Sequence, residues 1–147
     1  MAIVERSVLI NRPIEDVFDY VASFENYPKW NHSMVECRRT SEGPTSVGTI
    51  FDSRMIYMRQ KYSAPLEITE YEPNNRITFY VSKFGFFKWF RGIFSFEKAN
   101  GTTKVKITAE TDLVALFKPM LIIMPILGKR SWGKHLAELK RILESGV

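Results

Sequence analysis

The residues of this chain that could catalyse a reaction are few and far apart in the sequence. Two histidines occur, His32 and His135, together with one cysteine, Cys37. A protein metal site needs three or four His, Cys or carboxylate ligands at characteristic spacings, so we expect neither a metal nor another cofactor. A lone cysteine excludes an internal disulfide, and no neighbour of Cys37 in the sequence would activate its thiolate, which predicts a packing role.

Tyrosines and arginines in the middle of the chain are the other groups that could act on a ligand or orient it. Arg54, Tyr57 and Tyr80 fall within strand-like segments, where one register would point some of them into the interior. Segment 50–59 carries polar and apolar residues on both faces, so its pattern leaves the inner face undecided. A solvated face with cross-strand ion pairs, such as Asp52 with an arginine, is the alternative. No catalytic residue is assigned, and the candidates are His32, Arg54, Tyr57 and Tyr80.

The longest predicted element is a C-terminal helix from Asp112 to Ser145. Between residues 113 and 127 its only charge is Lys118, so this half is apolar almost all round and must be covered. Pro119 and Pro125 each remove a backbone donor, which predicts a jointed segment. The second half carries an apolar stripe at three-to-four spacing, formed by Trp132, Leu136, Leu139, Ile142 and Leu143. A jointed apolar lid of this kind indicates a binding cavity.

The part of the chain before this helix begins with a strand and two short helical pieces and continues as a series of strands. Residues 2–10 read as a strand, a helix follows and ends at about Ser23, and a second short helical piece spans residues 24–32. From residue 34 to residue 111 strand-length segments alternate with turn signals, of which Asn100-Gly101 is the strongest hairpin signal. We predict an α+β fold in which a curved antiparallel sheet of six or seven strands wraps the long C-terminal helix, with two short helices after the first strand.

Composition limits the class of protein. With 147 residues and 45% apolar residues, the chain fits one globular domain, 1–147. The net charge of +5 is spread along the sequence, so we expect no nucleic-acid partner, whereas contact with an acidic membrane surface stays open. Glu5 and Arg6 lie where a signal peptide would need an apolar core, and no apolar run reaches membrane-spanning length. We therefore expect a soluble, cytoplasmic protein.

One further stretch is unusual because its aromatic residues fall on both faces of a predicted strand. Residues 84–90 read Phe-Gly-Phe-Phe-Lys-Trp-Phe, and Lys83, Lys88 and Arg91 lie within or beside them. Such a stretch suits the edge of a homodimer or a patch that touches lipid headgroups. A strand covered by a neighbouring loop is the alternative.

Two stretches near the N-terminus carry a family resemblance. Residues 8–21 read Val-Leu-Ile-Asn-Arg-Pro-Ile-Glu-Asp-Val-Phe-Asp-Tyr-Val, and residues 24–31 read Phe-Glu-Asn-Tyr-Pro-Lys-Trp-Asn. A strand, a proline turn, a Val-Phe helix and a Tyr-Pro-x-Trp segment in this order resemble the SRPBCC superfamily, whose START-like, helix-grip fold is shared with the birch-pollen allergens. The resemblance covers the whole chain and is greatest to the branch of polyketide cyclases/dehydrases and lipid transport proteins.

The resemblance implies a hydrophobic ligand, because members of the superfamily bind or transform such molecules between the sheet and the last helix. We expect a carrier of a lipid, polyketide, quinone or isoprenoid rather than an enzyme, with a cavity of about 300–1,000 Å³. The predicted ligand contacts are Phe79, Phe94, Val105, Ile107, Leu113, Phe117, Met120, Leu121 and Met124. The alternatives are a cyclase or dehydratase that uses His32, which the fold brings near a cavity end, or a cavity Tyr or Arg, and an interaction module that uses segment 84–90.

Overall fold

The computed structural model describes residues 1–146, and Val147, the last position of the predicted domain, lies outside the described residues. The strands are β1 Ala2–Ile10, β2 Met34–Arg39, β3 Ile50–Tyr57, β4 Gln60–Glu72, β5 Arg76–Val81, β6 Phe87–Ala99 and β7 Thr102–Leu113. The α-helices are α1 Ile14–Ala22, α2 Tyr27–Trp30 and α3 Met124–Glu144. Two 3₁₀ pieces, Phe24–Asn26 and Ala115–Ile122, precede α2 and α3. The second of them is called the 3₁₀ segment below.

All seven strands form one antiparallel sheet in the order β1-β7-β6-β5-β4-β3-β2. The predicted curved antiparallel sheet on a C-terminal helix, with two short helices after the first strand, is therefore confirmed. The sequence pattern that produces this sheet is clearest in strand β7, whose residues alternate between buried and half-buried along its whole length. At the β6–β7 hairpin Asn100 and Gly101 have φ values of 51° and 85°, as the predicted two-residue turn requires.

The predicted start of the C-terminal helix is wrong. Asp112 and Leu113 still belong to β7, where Leu113 pairs with Phe87, and α3 begins only at Met124. Pro125 lies in the first turn of α3, where its missing N–H costs no hydrogen bond, so it starts the helix instead of breaking it. Pro119 lies in the 3₁₀ segment. No helix within residues 1–146 is both long and apolar enough to cross a membrane.

A bulge explains the unusual aromatic stretch. The register of β6 against β7 shifts between Phe87 and Trp89, so that residues on either side of the shift exchange faces. Phe87 is buried, Phe90 is half-buried, and both turn towards the interior, where their rings lie 6.4 Å apart. Phe84 is buried as well. Much of the aromatic stretch is therefore core.

The predicted strand 50–59 is shorter than expected. It ends at Tyr57, because Met58 and Arg59 form the tight turn between β3 and β4. Both residues have positive φ, 50° and 64°, in a turn of the kind that Asn-Gly occupies between β6 and β7. Neither residue has the side chain that such a turn favours, so the sequence carries no signal for it.

Helix α3 packs most closely against β1, one of the two edge strands of the sheet. Glycines occupy the contact points, since a Cβ at Gly128 would lie 2.9 Å from Cγ2 of Val4. Of the predicted apolar stripe only Ile142 is half-buried, and His135 is buried together with the other four residues. Between α3 and the sheet, rings that belong to α2 and its neighbours fill the interior, including Phe24, Tyr27 and Trp30, which all pack against Phe94.

Candidate ligand-binding cavity

A small, nearly enclosed cavity lies in the interior at one end of the sheet. Its volume is about 20 Å³. Its walls come from the second halves of β3 and β5, the first residue of β2, the β5–β6 loop, the start of β6, the region of α2, and one residue of α3. The lining residues are Tyr27, Asn31, Met34, Met55, Tyr57, Phe79, Val81, Phe84, Phe90 and Trp132.

Polar groups from two elements meet in this otherwise apolar lining. Asn31, which follows α2, is buried, and its Oδ1 accepts a hydrogen bond of 3.0 Å from the Ser33 N–H. Burial raises the pKa of Tyr57 to about 12, with a side-chain hydrogen bond to Ser33 acting in the opposite direction. Burial also raises the pKa of Tyr27 well above its ordinary value, although a hydrogen bond to Asn31 lowers it. Both hydroxyls therefore stay protonated at neutral pH and are able to donate hydrogen bonds.

The structure decides which face of β3 lies inside. Phe51, Ser53 and Met55 are buried, and Tyr57 continues that face towards the cavity, with its ring 5.2 Å from the ring of Phe87. The opposite face is solvated, and Arg54 lies there, too far out to contact a ligand in the interior. Its Nε is 3.9 Å from Glu36 and 3.7 Å from Asp52, which is the ion-pair alternative that the pattern had left open.

Tyr80 also lies away from the cavity. It is half-buried beside the inward-facing Phe79, and its ring stacks on Trp89 at 6.4 Å between centroids. The guanidinium of Arg91 lies over the Trp89 ring, 5.5 Å from its centroid. Tyr80 therefore belongs to an aromatic and cationic cluster on the outer surface of the sheet, where a contact with a ligand in the cavity is not available to it.

The two histidines are neighbours in space. The ring of His32, which is exposed, lies 6.3 Å from the ring of His135, which is buried against Trp132. Burial lowers the pKa of His135 to about 4, and the charges of His32 and Lys134 act in the same direction. Its Nδ1 is buried and has no hydrogen-bond partner within residues 1–146. Neither histidine lines the cavity.

Of the predicted ligand contacts, only Phe79 lines the cavity. Phe94, Val105, Ile107 and Leu113 are fully buried in the packed core on the same side of the sheet. The remaining four residues, Phe117, Met120, Leu121 and Met124, are half-buried and pack against the edge of the core from the 3₁₀ segment and the start of α3. Whether these residues contact a ligand when one binds stays a prediction.

The cavity is far smaller than the predicted volume of about 300–1,000 Å³. The reason is the packing of large rings into the space that a curved sheet leaves under its helix. Phe79 alone lies within 6 Å, between ring centroids, of Phe24, Tyr27, Phe90 and Phe94. In the described structure this space therefore admits about one water molecule.

Sequence reasoning found some of the lining and missed the rest. Phe79 was among the predicted ligand contacts, Trp132 belonged to the predicted helix stripe, and Tyr57 was a candidate polar contact. Asn31 was missed because a buried amide after a short helix leaves no periodic signal. Met34, Met55 and Phe84 were missed as lining residues because their facing depends on bulges and turns that the sequence does not mark.

Metal and thiol chemistry find no site among residues 1–146. No group of three or more His, Cys, Asp or Glu side chains is arranged there to hold a metal ion. Burial raises the pKa of Cys37 to about 12, and the charges of Glu25 and Asp52 act in the same direction. The thiol is therefore protonated and unreactive, as its predicted packing role requires.

A seven-stranded antiparallel sheet that grips a long C-terminal helix over an aromatic interior defines the class of START-like, helix-grip proteins. Within that class, the sequence model of the family described as "Polyketide cyclase / dehydrase and lipid transport" matches residues 1–144, and the chain belongs to this family. A comparison with curated protein sequences finds no match.

Solved structures of several proteins share the fold. A protein from Thermus thermophilus is 17% identical with a TM-score of 0.80, covering 99% of both chains. The Zhui aromatase/cyclase from Streptomyces sp. R1128 is 12% identical with a TM-score of 0.81, covering 97% of this chain and 93% of the other. A START superfamily protein from Mycobacterium smegmatis is 18% identical with a TM-score of 0.71, covering 99% and 96%. At these identities the likeness extends to the fold alone.

Proposed function

We propose that this protein binds a hydrophobic small molecule, such as a lipid, polyketide, quinone or isoprenoid, between the sheet and α3. The observation that carries the proposal is the interior cavity, which is lined by aromatic and aliphatic side chains with the polar groups of Tyr27, Asn31 and Tyr57 among them. A few polar groups in an apolar cavity fix the orientation of a ligand. Protonated tyrosines and an amide suit a ligand with an oxygen acceptor, for example a carbonyl.

Binding requires the walls to move, because the cavity holds about 20 Å³. Two features make part of the wall adaptable. Met34 and Met55 have unbranched side chains that refill irregular space at low cost. The loop between Phe84 and Phe87 faces the interior on one side. On its other side, Phe86 contacts the half-buried Phe117 of the 3₁₀ segment. Displacement of these groups outward would enlarge the cavity without breaking the sheet.

A cyclase or dehydratase is the second candidate, supported by the two protonated tyrosines that could polarise a substrate carbonyl. General acid–base catalysis also needs a group that accepts a proton near neutral pH. None of the residues that line the cavity in the described chain is an Asp, Glu, His, Lys or Arg. This composition favours a carrier over an enzyme.

Two predictions from the sequence concern the setting of this function. We infer a cytoplasmic location, and pairing of two copies through segment 84–90 stays a prediction. The interaction surface there is narrower than the sequence suggested, because Phe84 and Phe87 are buried and only Phe86, Trp89 and Phe90 remain partly accessible beside the charged residues.

Ligand binding is tested by two measurements on the purified protein. Mass spectrometry of an organic extract identifies any hydrophobe that the protein retains. Titration with palmitate, a ubiquinone analogue, farnesol and an aromatic polyketide is followed by tryptophan fluorescence, since Trp132 lines the cavity and Trp30 packs beside it at 6.3 Å. We expect at least one of these compounds to bind with one-to-one stoichiometry and change the emission.

A matched pair of variants places the binding site. Phe84→Leu replaces a ring that lines the cavity. Phe96→Leu replaces a ring of equal exposure, 5%, that packs against Phe18, away from the cavity. Both changes remove similar core volume and lower stability by similar amounts. We expect Phe84→Leu to accelerate ligand association severalfold and Phe96→Leu to leave it unchanged. Equal effects of the two variants, or no binding by the wild type, would remove the basis of the proposal.

A further inference from the structure

The stretch from the 3₁₀ segment through the first turn of α3 exposes an unusual number of large apolar side chains. Leu116, Ile122 and Ile126 are 84%, 80% and 71% exposed, and Ile123 and Leu127 are exposed as well. These five residues are called the apolar ridge. Single exposed apolar residues are ordinary, but five within a stretch of twelve residues form a surface that water solvates poorly.

A basic groove begins where the ridge ends. It is a shallow depression of about 590 Å³, widely open to solvent, between β1 and the solvent side of α3. The lining residues are Arg6, Ile126, Lys129, Arg130, Gly133, Lys134 and Ala137. Gly133 allows Arg6 to lie against the helix, since a Cβ there would be 2.5 Å from Nη2 of Arg6. Ile126 belongs to both the ridge and the groove, so the two form one surface.

This surface carries more cations than anions. Residues 113–137 contain Lys118, Lys129, Arg130 and Lys134 but no Asp or Glu. Within residues 1–146, no carboxylate lies within 4 Å of a charged nitrogen of these four residues or of Arg6. Glu5, the acidic residue of β1, borders the adjoining depression together with Arg6 and Lys129, and its carboxylate is 3.9 Å from the Nζ of Lys106.

We propose that the apolar ridge and the basic groove together dock on an anionic lipid bilayer. Apolar side chains that enter the headgroup region and basic residues that face anionic lipids are the two components of interfacial membrane binding. A second copy of the chain is a poor occupant, because a symmetric pair would place the cations of one copy against those of the other without a carboxylate between them. Nucleic acid would pair with the cations and leave the aliphatic ridge in water.

Docking in this way would bring the bilayer to side chains that are in contact with the wall of the cavity. Ring contacts lead from the 3₁₀ segment into the interior: Phe117 lies 5.3 Å from Phe86, Phe86 lies 4.7 Å from Phe87, and Phe87 lies 4.7 Å from Phe84. Phe84 lines the cavity. A hydrophobe could therefore pass between membrane and cavity along apolar side chains, but the docking surface exists whether or not the cavity is used.

Flotation with lipid vesicles tests the proposal. We expect the protein to float with vesicles of phosphatidylcholine and phosphatidylserine, to float weakly with phosphatidylcholine alone, and to be released by high salt. Neutralising the groove with Lys129→Gln, Arg130→Gln and Lys134→Gln should lower partitioning to anionic vesicles roughly a hundredfold, about fivefold for each charge. Replacing the ridge residues with Ile122→Ser and Ile126→Ser should also release the protein.

Matched controls carry comparable changes elsewhere, with the same loss of charge and a similar loss of apolar surface. Lys29→Gln, Lys61→Gln and Lys98→Gln remove equal charge from other exposed positions, and Val35→Ser and Val47→Ser replace exposed apolar residues outside the ridge. The controls should float like the wild type. Equal loss in control and test variants, equal binding to neutral and anionic vesicles, or no flotation would overturn the proposal, as would a stable dimer that only the ridge variants dissociate. Ligand binding in vesicle-free solution should persist in the groove variants, which separates failure of docking from failure of the cavity.

Discussion

The substitution Gly92→Ala tests whether the rings of the interior are packed as closely as the structure shows. Gly92 pairs across the sheet with Phe79, whose ring lies over the glycine. A Cβ added at Gly92 would be 2.2 Å from Cε1 and 2.4 Å from Cζ of that ring, against 3.4–4 Å for an ordinary contact. The ring would therefore have to retreat by more than 1 Å.

The surroundings of Phe79 leave no room for that retreat. Four other rings lie within 6 Å of it, those of Phe24, Tyr27, Phe90 and Phe94, and the adjoining cavity of about 20 Å³ is too small for a displaced phenyl group. Overpacking a well-filled core costs about 1–3 kcal/mol, and this site belongs at the upper end. We expect Gly92→Ala to lower the free energy of unfolding by about 3 kcal/mol.

Urea denaturation followed by circular dichroism measures the effect, with the slope m checked for constancy. Gly133→Ala is the matched control, because its Cβ also meets a side chain at 2.5 Å, but that side chain is the mobile end of Arg6. It should be neutral or stabilising by up to about 1 kcal/mol, since alanine favours a helix interior. In a double-mutant cycle, Phe79→Leu should offset about 2 kcal/mol of the loss in Gly92→Ala. A Gly92→Ala variant as stable as the wild type, or additive effects in the cycle, would refute the packing argument.

Three other properties of the molecule should respond in predictable directions. Burial lowers the pKa of His135 in the folded protein to about 4, below its ordinary value of 6.5. The unfolded chain therefore binds more protons at this residue, and the protein should lose on the order of 2–3 kcal/mol of stability between pH 7.5 and pH 4.5. Urea denaturation at several pH values measures this loss, and a His135→Gln variant with the same pH profile as the wild type would contradict it. Met58 and Arg59 both have positive φ, which Asn and Gly adopt more easily. Replacing them by Asn and Gly should therefore raise the free energy of unfolding, measured by calorimetry, by about 1 kcal/mol. A lower free energy of unfolding would show that the turn is not strained. The 3₁₀ segment has no buried residue, so its amides should exchange with deuterium faster than amides 132–143 of α3. Bound ligand should slow the exchange of the segment. Equal protection in both stretches would mean that the segment is not a movable wall.

The extent of prediction from sequence follows from the kind of signal each element carries. Strand β7 alternates strictly and follows an Asn-Gly turn, so its inner residues Val105 and Ile107 are identified without coordinates. The apolar half of the predicted helix was misassigned because burial and exposure of aliphatic residues look alike in a sequence. Leu113 and Leu116 are three residues apart, yet one is fully buried at the end of a strand and the other is 84% exposed.

The cavity could be predicted only in outline, because its lining depends on small irregularities of the backbone. The bulge between Phe87 and Trp89 turns Phe87 and Phe90 to the same side, and a period-two pattern cannot represent that change. Its volume was overestimated for a related reason. The sequence shows how many aromatic residues the chain has but not that rings from α2 and from the sheet enter the same space.

The same excess of aromatic residues connects the cavity with the surface. A rigid apolar interior this full would bind nothing, so a ligand-binding role requires that some of its wall be held loosely. Of the adaptable parts of the wall proposed above, the Phe84–Phe87 loop contacts the 3₁₀ segment through Phe86 and Phe117, and that segment carries part of the exposed apolar ridge. A bilayer that accepts the ridge would reduce its exposure and bring an apolar phase to the adaptable wall. Under the two proposals above, the cavity stays closed while the protein is in water. It opens when the ridge enters a bilayer, where a hydrophobic ligand is available.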